Sequence, residues 1–251
     1  MNTLTVNSVT IGEGMPKICV PIVATNETML LEQLRDFDRP DIDLLEWRID
    51  YMDCLEQTPQ LISIAKKIKE QLPSKPLLVT FRSKKEGGEA TLSQTAYCSL
   101  LQTFSDEKAA DLLDVELYSI EEQELTRLIQ SLHKADTKLI LSNHDFNQTP
   151  EKEEILRRLQ KMQELGADIA KIAVMPQCPE DVLTLLQATS EMTAHHANIP
   201  IVTMSMGSLG KISRISGACF GSAITFGSLQ AASAPGQIPA DTLRTILQCM
   251  E

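Results

Sequence analysis

The sequence predicts an α/β protein, a single (β/α)8 TIM barrel domain over residues 1–251 whose floor is closed by an N-terminal β-hairpin. Three observations point there. Eight short apolar runs, rich in β-branched residues, alternate along the chain with eight helical patterns. The runs are apolar at nearly every position, as parallel strands covered on both faces should be. No G-x-G-x-x-G follows the first run, which weighs against a doubly wound open sheet, the competing arrangement.

Within residues 1–16, "LTVNSVTIGEGMP" alternates like a small hairpin ahead of the first strand. That strand is "KICVPIVAT" (17–25), with a helix over 27–37 behind it. "IDLLEWR" (42–48) leads into "TPQLISIAKKIKEQL", where Thr58 stands as cap, Pro59 takes the first helical position and apolar residues recur every three to four. "PLLVTFR" (76–82) leads to a helix over 91–104, and "LLDVELY" (112–118) to one over 120–134. "KLILSNHD" (138–145) precedes "TPEKEEILRRLQKMQELG", a second Thr-Pro start with acids early, bases later and a stop at Gly166. "DIAKIAVM" (168–175) is followed by a helix over 179–193, and "IPIVTMSM" (199–206) by one over 208–216. "ACFGSAITF" (218–226) and a helix over 240–250 complete the set.

A hydrophobic content of 43% suffices for a sizeable core, and no apolar run approaches the roughly 20 residues of a membrane span. The formal net charge of −11 argues against nucleic acid or an anionic membrane as partner, because both require basic faces. Any site for an anionic ligand must then be locally basic. Six cysteines without a C-x-x-C pair or metal-ligand spacing read as reduced thiols of a cytoplasmic protein. One Trp and three Tyr offer no stacking platform for bases.

A barrel of this kind carries its site at the C-terminal ends of its strands. Those ends collect Glu46 and Arg48, Arg82, Glu116, His144 with Asp145, Lys171, Met204, Met206 and Phe226, with Arg214 following in the helix after the seventh strand. Each has an ordinary explanation. Glu46 and Arg48, two apart on one face, suit a structural ion pair; Arg82 suits a solvated strand end; a single His is more often structural than catalytic. Glu191, His195 and His196 suit a solvated helix end better than a metal site, since no third ligand converges on them. The methionines suit core filler.

Lys171 is harder to dismiss, because an ammonium rarely enters an apolar strand without a partner. A strand-end carboxylate, Glu46 or Glu116, could pair with it. Alternatively, burial among arginines would leave a neutral amine able to attack a carbonyl. The iminium would draw electrons from the neighbouring carbon, and His144 on the adjacent strand could take that carbon's proton. Arginines in the pocket suggest an anionic keto substrate. The loop "FRSKKEGGEA" (81–90) carries Glu86 near the mouth, and "FGSLQAASAPGQIPAD" (226–241) could be a surface loop or a lid.

"LLEWRID", "TFRSKKEGGE", "SNHDF", "ADIAKIAVMP", "TMSMGSLGKISRISG" and "ITFGSLQAASAPGQI" together resemble the type I 3-dehydroquinate dehydratases, from about residue 16 to the C-terminus. The resemblance implies a shikimate-pathway lyase that converts 3-dehydroquinate to 3-dehydroshikimate, without metal or organic cofactor and commonly as a homodimer. It places the Schiff-base lysine on Lys171, the general acid/base on His144 and its acidic partner on Glu86. Substrate positions fall on Glu46, Arg48, Arg82, Arg214, Ser233 and Gln237, with Met204, Met206 and Phe226 as the apolar wall. Arg214 would grip the carboxylate, Glu46, Arg48 and Arg82 the ring hydroxyls, and Ser233 and Gln237 would sit on the lid. The chain departs from many relatives at Pro21, where they have a serine; proline offers neither hydroxyl nor N–H. A Schiff-base aldolase is the competing enzyme, although no glycine-rich phosphate cradle follows the last strands; a barrel that only binds a small acid is the non-catalytic alternative.

Overall fold

Successive side chains of a strand face opposite ways, so eight apolar strands must satisfy two surfaces at once. The computed structural model, which describes residues 3–229 and 233–250, shows how they do so. A hairpin of β1 (Leu4–Val6) and β2 (Val9–Ile11) comes first, turning through Asn7 at φ 51, a left-handed conformation asparagine tolerates. Then come β3 (Lys17–Ile22), α1 (Glu27–Leu34), β4 (Leu44–Arg48), α2 (Thr58–Gln71), β5 (Leu77–Thr80), α3 (Gln94–Asp106) and β6 (Leu112–Glu116). The chain continues through α4 (Glu122–Lys134), β7 (Lys138–Asp145), α5 (Lys152–Glu164), β8 (Ile169–Val174), α6 (Pro179–Glu191) and β9 (Ile201–Ser205). It ends with the short α7 (Lys211–Ile215) and α8 (Gly217–Phe220), β10 (Ile224–Ser228), β11 (Ile238–Pro239) and α9 (Ala240–Cys249).

Strands β3 to β9 pair in parallel with their sequence neighbours, and β10 pairs with β3. The remaining seam, β9 to β10, is held differently. Ala223 N–H donates to Ile201 O at 2.8 Å, and a single bridge joins Ile201 to Ser222. The Ser222 hydroxyl accepts from Thr203 N–H at 3.0 Å and faces Thr203 O at 3.3 Å. A side chain thus stands in for ladder bonds where the barrel closes.

The interior is layered. Cys19, Leu44, Leu78, Leu112, Ile140, Ile169, Val202 and Ile224 form one apolar cluster with Val6 and Ile11 of the hairpin, which closes the floor as expected. The outward-facing positions, among them Val20, Trp47, Val79, Val115, Leu141 and Ile172, pack beneath the helices in a second cluster. Two residues above the floor, the inward positions become Glu46, Thr80, Asp114, Ser142 and Lys171, all buried. The change from apolar to polar at that height is what places a site in this barrel.

Several element boundaries differ from expectation. Helix α2 begins at Thr58 with Gln57 as N-cap, so Thr58 makes no cap while Pro59 does occupy the first turn. The second Thr-Pro lies ahead of α5, which begins at Lys152; acids still open it and Lys161 stands in its last turn. The helix expected over 91–104 begins at Gln94, where the Ser93 side chain accepts from Ala96 N–H at 3.2 Å. The helix expected over 208–216 is the single turn and a half of α7. In "ACFGSAITF" the first residues are the helical turn α8, ended by left-handed Gly221 at φ 99, and the strand begins only at Ile224. A Cβ on Gly221 would stand 2.3 Å from Thr193, so the turn is fixed by a close approach that an apolar pattern does not reveal. Among the described residues no helix is long and apolar enough to cross a membrane.

Ser222→Ala should leave the buried Thr203 N–H without its acceptor and cost about 1–3 kcal/mol. An unchanged urea midpoint would show that the seam does not depend on this hydroxyl.

Candidate active site

Lys171 projects from β8 into the polar layer and is buried. Its Nζ stands 3.2 Å from Asp114 Oδ2, 4.0 Å from Glu46 Oε1 and 4.4 Å from the centre of the Phe226 ring. Carboxylates and an aromatic face are its nearest neighbours, and of the arginines expected around it Arg82 shares the Asp114 carboxylate. Glu116, the other partner considered, is taken up elsewhere: it accepts from Arg82 Nη1 at 3.0 Å, from Ser83 N–H at 2.8 Å and from the Ser119 hydroxyl.

Asp114 was not singled out in the sequence. It receives Ser142 Oγ at 2.6 Å and pairs with Arg82 Nη2 at 2.8 Å besides Lys171. Burial works to raise its carboxyl, but Arg82 and Lys171 outweigh that and hold it below the usual carboxylate range. A signal existed: Asp114 precedes Glu116 by two, and Ser142 precedes His144 by two, so each shares its neighbour's face.

Arg82 is only 3% exposed, so the solvated strand end is excluded. It also approaches Glu86 Oε2 at 3.5 Å, which brings three carboxylates around one guanidinium. Arg48 does not pair with Glu46. The 3-10 turn Ile49–Tyr51 folds Asp50 back to receive Arg48 Nε and Nη2 at 2.8 and 2.7 Å, and the guanidinium lies 5.0 Å over the Tyr51 ring. Glu46 instead accepts from Thr80 Oγ1 at 2.9 Å, which leaves its carboxylate facing Lys171.

His144 follows one layer higher on β7, the strand beside Lys171. Its Nδ1 lies 2.9 Å from Glu86 Oε2, and the same oxygen accepts its backbone N–H at 2.9 Å. Glu86 reaches this position from the 3-10 turn Lys84–Glu86. The two glycines that follow make the approach possible. A Cβ on Gly87 would fall 2.3 Å from Phe146, and one on Gly88 would fall 1.8 Å from Arg82 O. Burial pushes the Glu86 carboxyl up to about 8, with Arg82 opposing. Burial, then Arg82 and Lys171, push His144 well below its ordinary value. Joined by one hydrogen bond, the two titrate as a unit. Above about pH 8 the pair keeps a single proton on Nδ1, facing the carboxylate, and Nε2 keeps its lone pair.

Arg214, on α7, is 2% exposed. It donates to Pro235 O at 3.0 Å and Phe226 O at 3.4 Å, its Nε has no hydrogen-bond partner, and among the described residues it forms no ion pair. Burial alone pushes it down to about 10. The loop above is folded down onto the mouth: Pro235 O also accepts Gly207 N–H at 3.2 Å, and a Cβ on Gly236 would stand 2.2 Å from Gly207 O. Ser233 N–H donates to Gln237 Oε1 at 2.8 Å, and Gln237 Nε2 to Ser233 Oγ at 3.2 Å. Residues 230–232 of the expected lid lie outside the described residues.

One cavity of about 470 Å³ is lined by Lys171, His144, Glu86, Glu46, Arg48, Arg82, Arg214, Ser233, Gln237, Met204, Met206 and Phe226. Those are the sequence-predicted residues, and Phe146, Ala173, Gly87 and Ala234 join them. Its walls combine arginines, carboxylates, a neutral imidazole and Lys171 over an apolar floor, which suits a small polyhydroxylated anion. The residues "EMTAHHANIP" lie elsewhere: α6 runs into a π-turn at Met192–His196, and Glu191 pairs with Lys152 at 2.7 Å.

Arg214→Met should abolish anion binding in this cavity while unfolding at no lower denaturant concentration than the parent, because relief of burying a cation without a counterion offsets the two carbonyl contacts that Met loses. Marked destabilisation would mean its carbonyl contacts hold the fold.

Residues 18–251 match the family described as type I 3-dehydroquinase. The 3-dehydroquinate dehydratase of Enterococcus faecalis is 49% identical over 251 residues, 100% of this chain and 99% of its own. That of Clostridium kluyveri is 44% identical over 243 residues, covering 97% and 95%. The crystal structure of type I 3-dehydroquinate dehydratase from Clostridium difficile, with covalent modified comenic acid, superposes with a TM-score of 0.95 at 44% identity, covering 99% of this chain and 98% of that one.

Proposed function

The chain belongs to the type I 3-dehydroquinase family and is a lyase that dehydrates 3-dehydroquinate; from that premise we propose that it acts through a Schiff base on Lys171, with His144 as general acid and base. The observation that carries the proposal is a buried lysine and a neutral imidazole on adjacent strands, opening into one cavity. That the related Clostridium difficile protein was crystallised with covalent modified comenic acid supports reading a nucleophile into this chain.

Lys171 gives up one ammonium proton, and its amine attacks the C3 ketone. That proton returns to the former carbonyl oxygen as it leaves as water, so that an iminium remains with its charge facing Asp114. The cation beside C2 makes its proton removable, and His144 Nε2 takes it to form an enamine. Glu86 receives the positive character developing on the ring through Nδ1. The enamine then expels the C1 hydroxyl, protonated by His144 as it leaves as water. A second water hydrolyses the product iminium, which releases 3-dehydroshikimate and restores the amine. Arg214 supplies the unpaired charge for the substrate carboxylate, while Arg48, Arg82 and Glu46 face the ring hydroxyls. Ser233 and Gln237 close over it on the loop, and Met204, Met206 and Phe226 pack against the ring. None of these steps draws on a metal or an organic cofactor.

Borohydride added during turnover of 3-dehydroquinate should fix an adduct on the peptide that holds Lys171, and Lys171→Ala should give neither adduct nor turnover. His144→Ala should still be trapped while losing about a hundred- to ten-thousand-fold in turnover. Turnover without an adduct would overturn the covalent route.

The pair also predicts a pH profile. Only its deprotonated form has a basic Nε2, so kcat/KM should fall as pH drops below about 8. In Glu86→Gln the remaining titration is that of His144, held well below its ordinary value, so the acid limb should move to lower pH while the plateau drops. A limb that stays in place would assign it to another group.

A further inference from the structure

Arg158 lies on α5, outside the barrel, and neither it nor Asn143 lines the cavity. Its guanidinium nevertheless reaches the back of the site. Nη1 donates to Asn143 Oδ1 at 2.8 Å, Nε donates to Glu154 Oε1 at 2.7 Å, and the Tyr118 ring centre lies 5.9 Å away. Asn143 is buried and faces outward from β7, opposite to His144. Its Nδ2 donates to Glu86 Oε1 at 3.2 Å.

A guanidinium has donors only, so the Asn143 atom that meets it must be the carbonyl oxygen. The planar amide then has to present its NH2 to Glu86. Both Glu86 oxygens are thereby met by donors: Oε1 by Asn143, and Oε2 by the His144 backbone N–H and Nδ1. Donors to both oxygens stabilise the charged carboxylate more than the neutral acid, so the arrangement favours the ionised form.

We propose that Arg158 and Asn143 are positioning residues that bias Glu86 toward its ionised form, against its burial, and so keep the proton on His144 Nδ1, a role that rests on the acid–base reading of the Glu86–His144 pair. Other charges face the same pair. Arg82 supports the ionised carboxylate, Glu116 and Asp114 oppose it, and Lys171 and Arg48 act on the imidazole. Arg82 belongs to the cavity and cannot be altered without disturbing it, whereas Arg158 acts from behind. Glu154, which also receives Arg157, holds Arg158 in place from the surface.

The test is kcat/KM against pH for the parent, Arg158→Met, Asn143→Leu and Arg158→Lys. Met frees the amide to turn its carbonyl toward Glu86, and Leu removes the donor while leaving Arg158 charged. Both should raise the acid limb by roughly one unit, about a tenfold loss below the limb with the alkaline plateau kept. Lys retains a cationic donor and should return the limb toward the parent's. If Arg158→Met does not fold, Asn143→Leu decides by itself. Limbs that stay at the parent's pH, or a lowered plateau over an unmoved limb, overturn the proposal and leave a structural contact. An acid limb unchanged in Glu86→Gln would instead overturn the acid–base reading beneath it.

Discussion

The Arg82 guanidinium is the contact on which the rest of the site depends. It sits 3% exposed with Asp114 at 2.8 Å, Glu116 at 3.0 Å and Glu86 at 3.5 Å. Each of those carboxylates then holds something else: Asp114 meets Lys171, Glu116 takes Ser83 N–H, and Glu86 takes His144. Removing a partner from such a buried group leaves charges without solvent or counterion, a penalty larger than the pair's own contribution. One cation thus sets the positions of the proposed nucleophile, the loop after β5 and the proposed base.

Such a cluster would be costly in a core without water, and the barrel confines it to one level. Below it, the floor cluster from Cys19 to Ile224 is apolar and sealed by Val6 and Ile11. Above it, the loop bearing Ser233 and Gln237 folds onto Gly207 and Arg214. Between these covers the local dielectric is low, so few charges act strongly. The same enclosure explains why Arg214, which lacks a counterion among the described residues, stands apart from Arg48 and Arg82, each already matched by carboxylates. Balanced cations can orient hydroxyls, while an unbalanced one suits an incoming carboxylate.

The alternation of apolar runs with helical patterns needed only local periodicity, and so the barrel, its floor hairpin and the height at which polar residues begin were all legible in the chain. Lys171, His144 and the arginines were legible for the same reason, since a charged residue closing an apolar strand stands out without any partner being known. Element ends were less so. The helical turn α8 and the late start of β10 depend on Gly221 meeting Thr193, a contact between segments far apart in sequence.

Pairing belonged to the tertiary structure alone. Glu46 and Arg48 share a strand face, yet Arg48 closes on Asp50 and Glu46 on Thr80 of the next strand. Lys171 finds Asp114, 57 residues away, and not Glu116. Arg158, on an amphipathic helix facing the barrel's outside, reads as a surface residue until Asn143 is seen beneath it. The sequence by itself determined which chemical groups would gather at the mouth, because strand period and residue type are local properties. Which group answers which was decided by strand register and loop closure, because ion pairs and hydrogen bonds depend on distances of about 3 Å that no local pattern encodes.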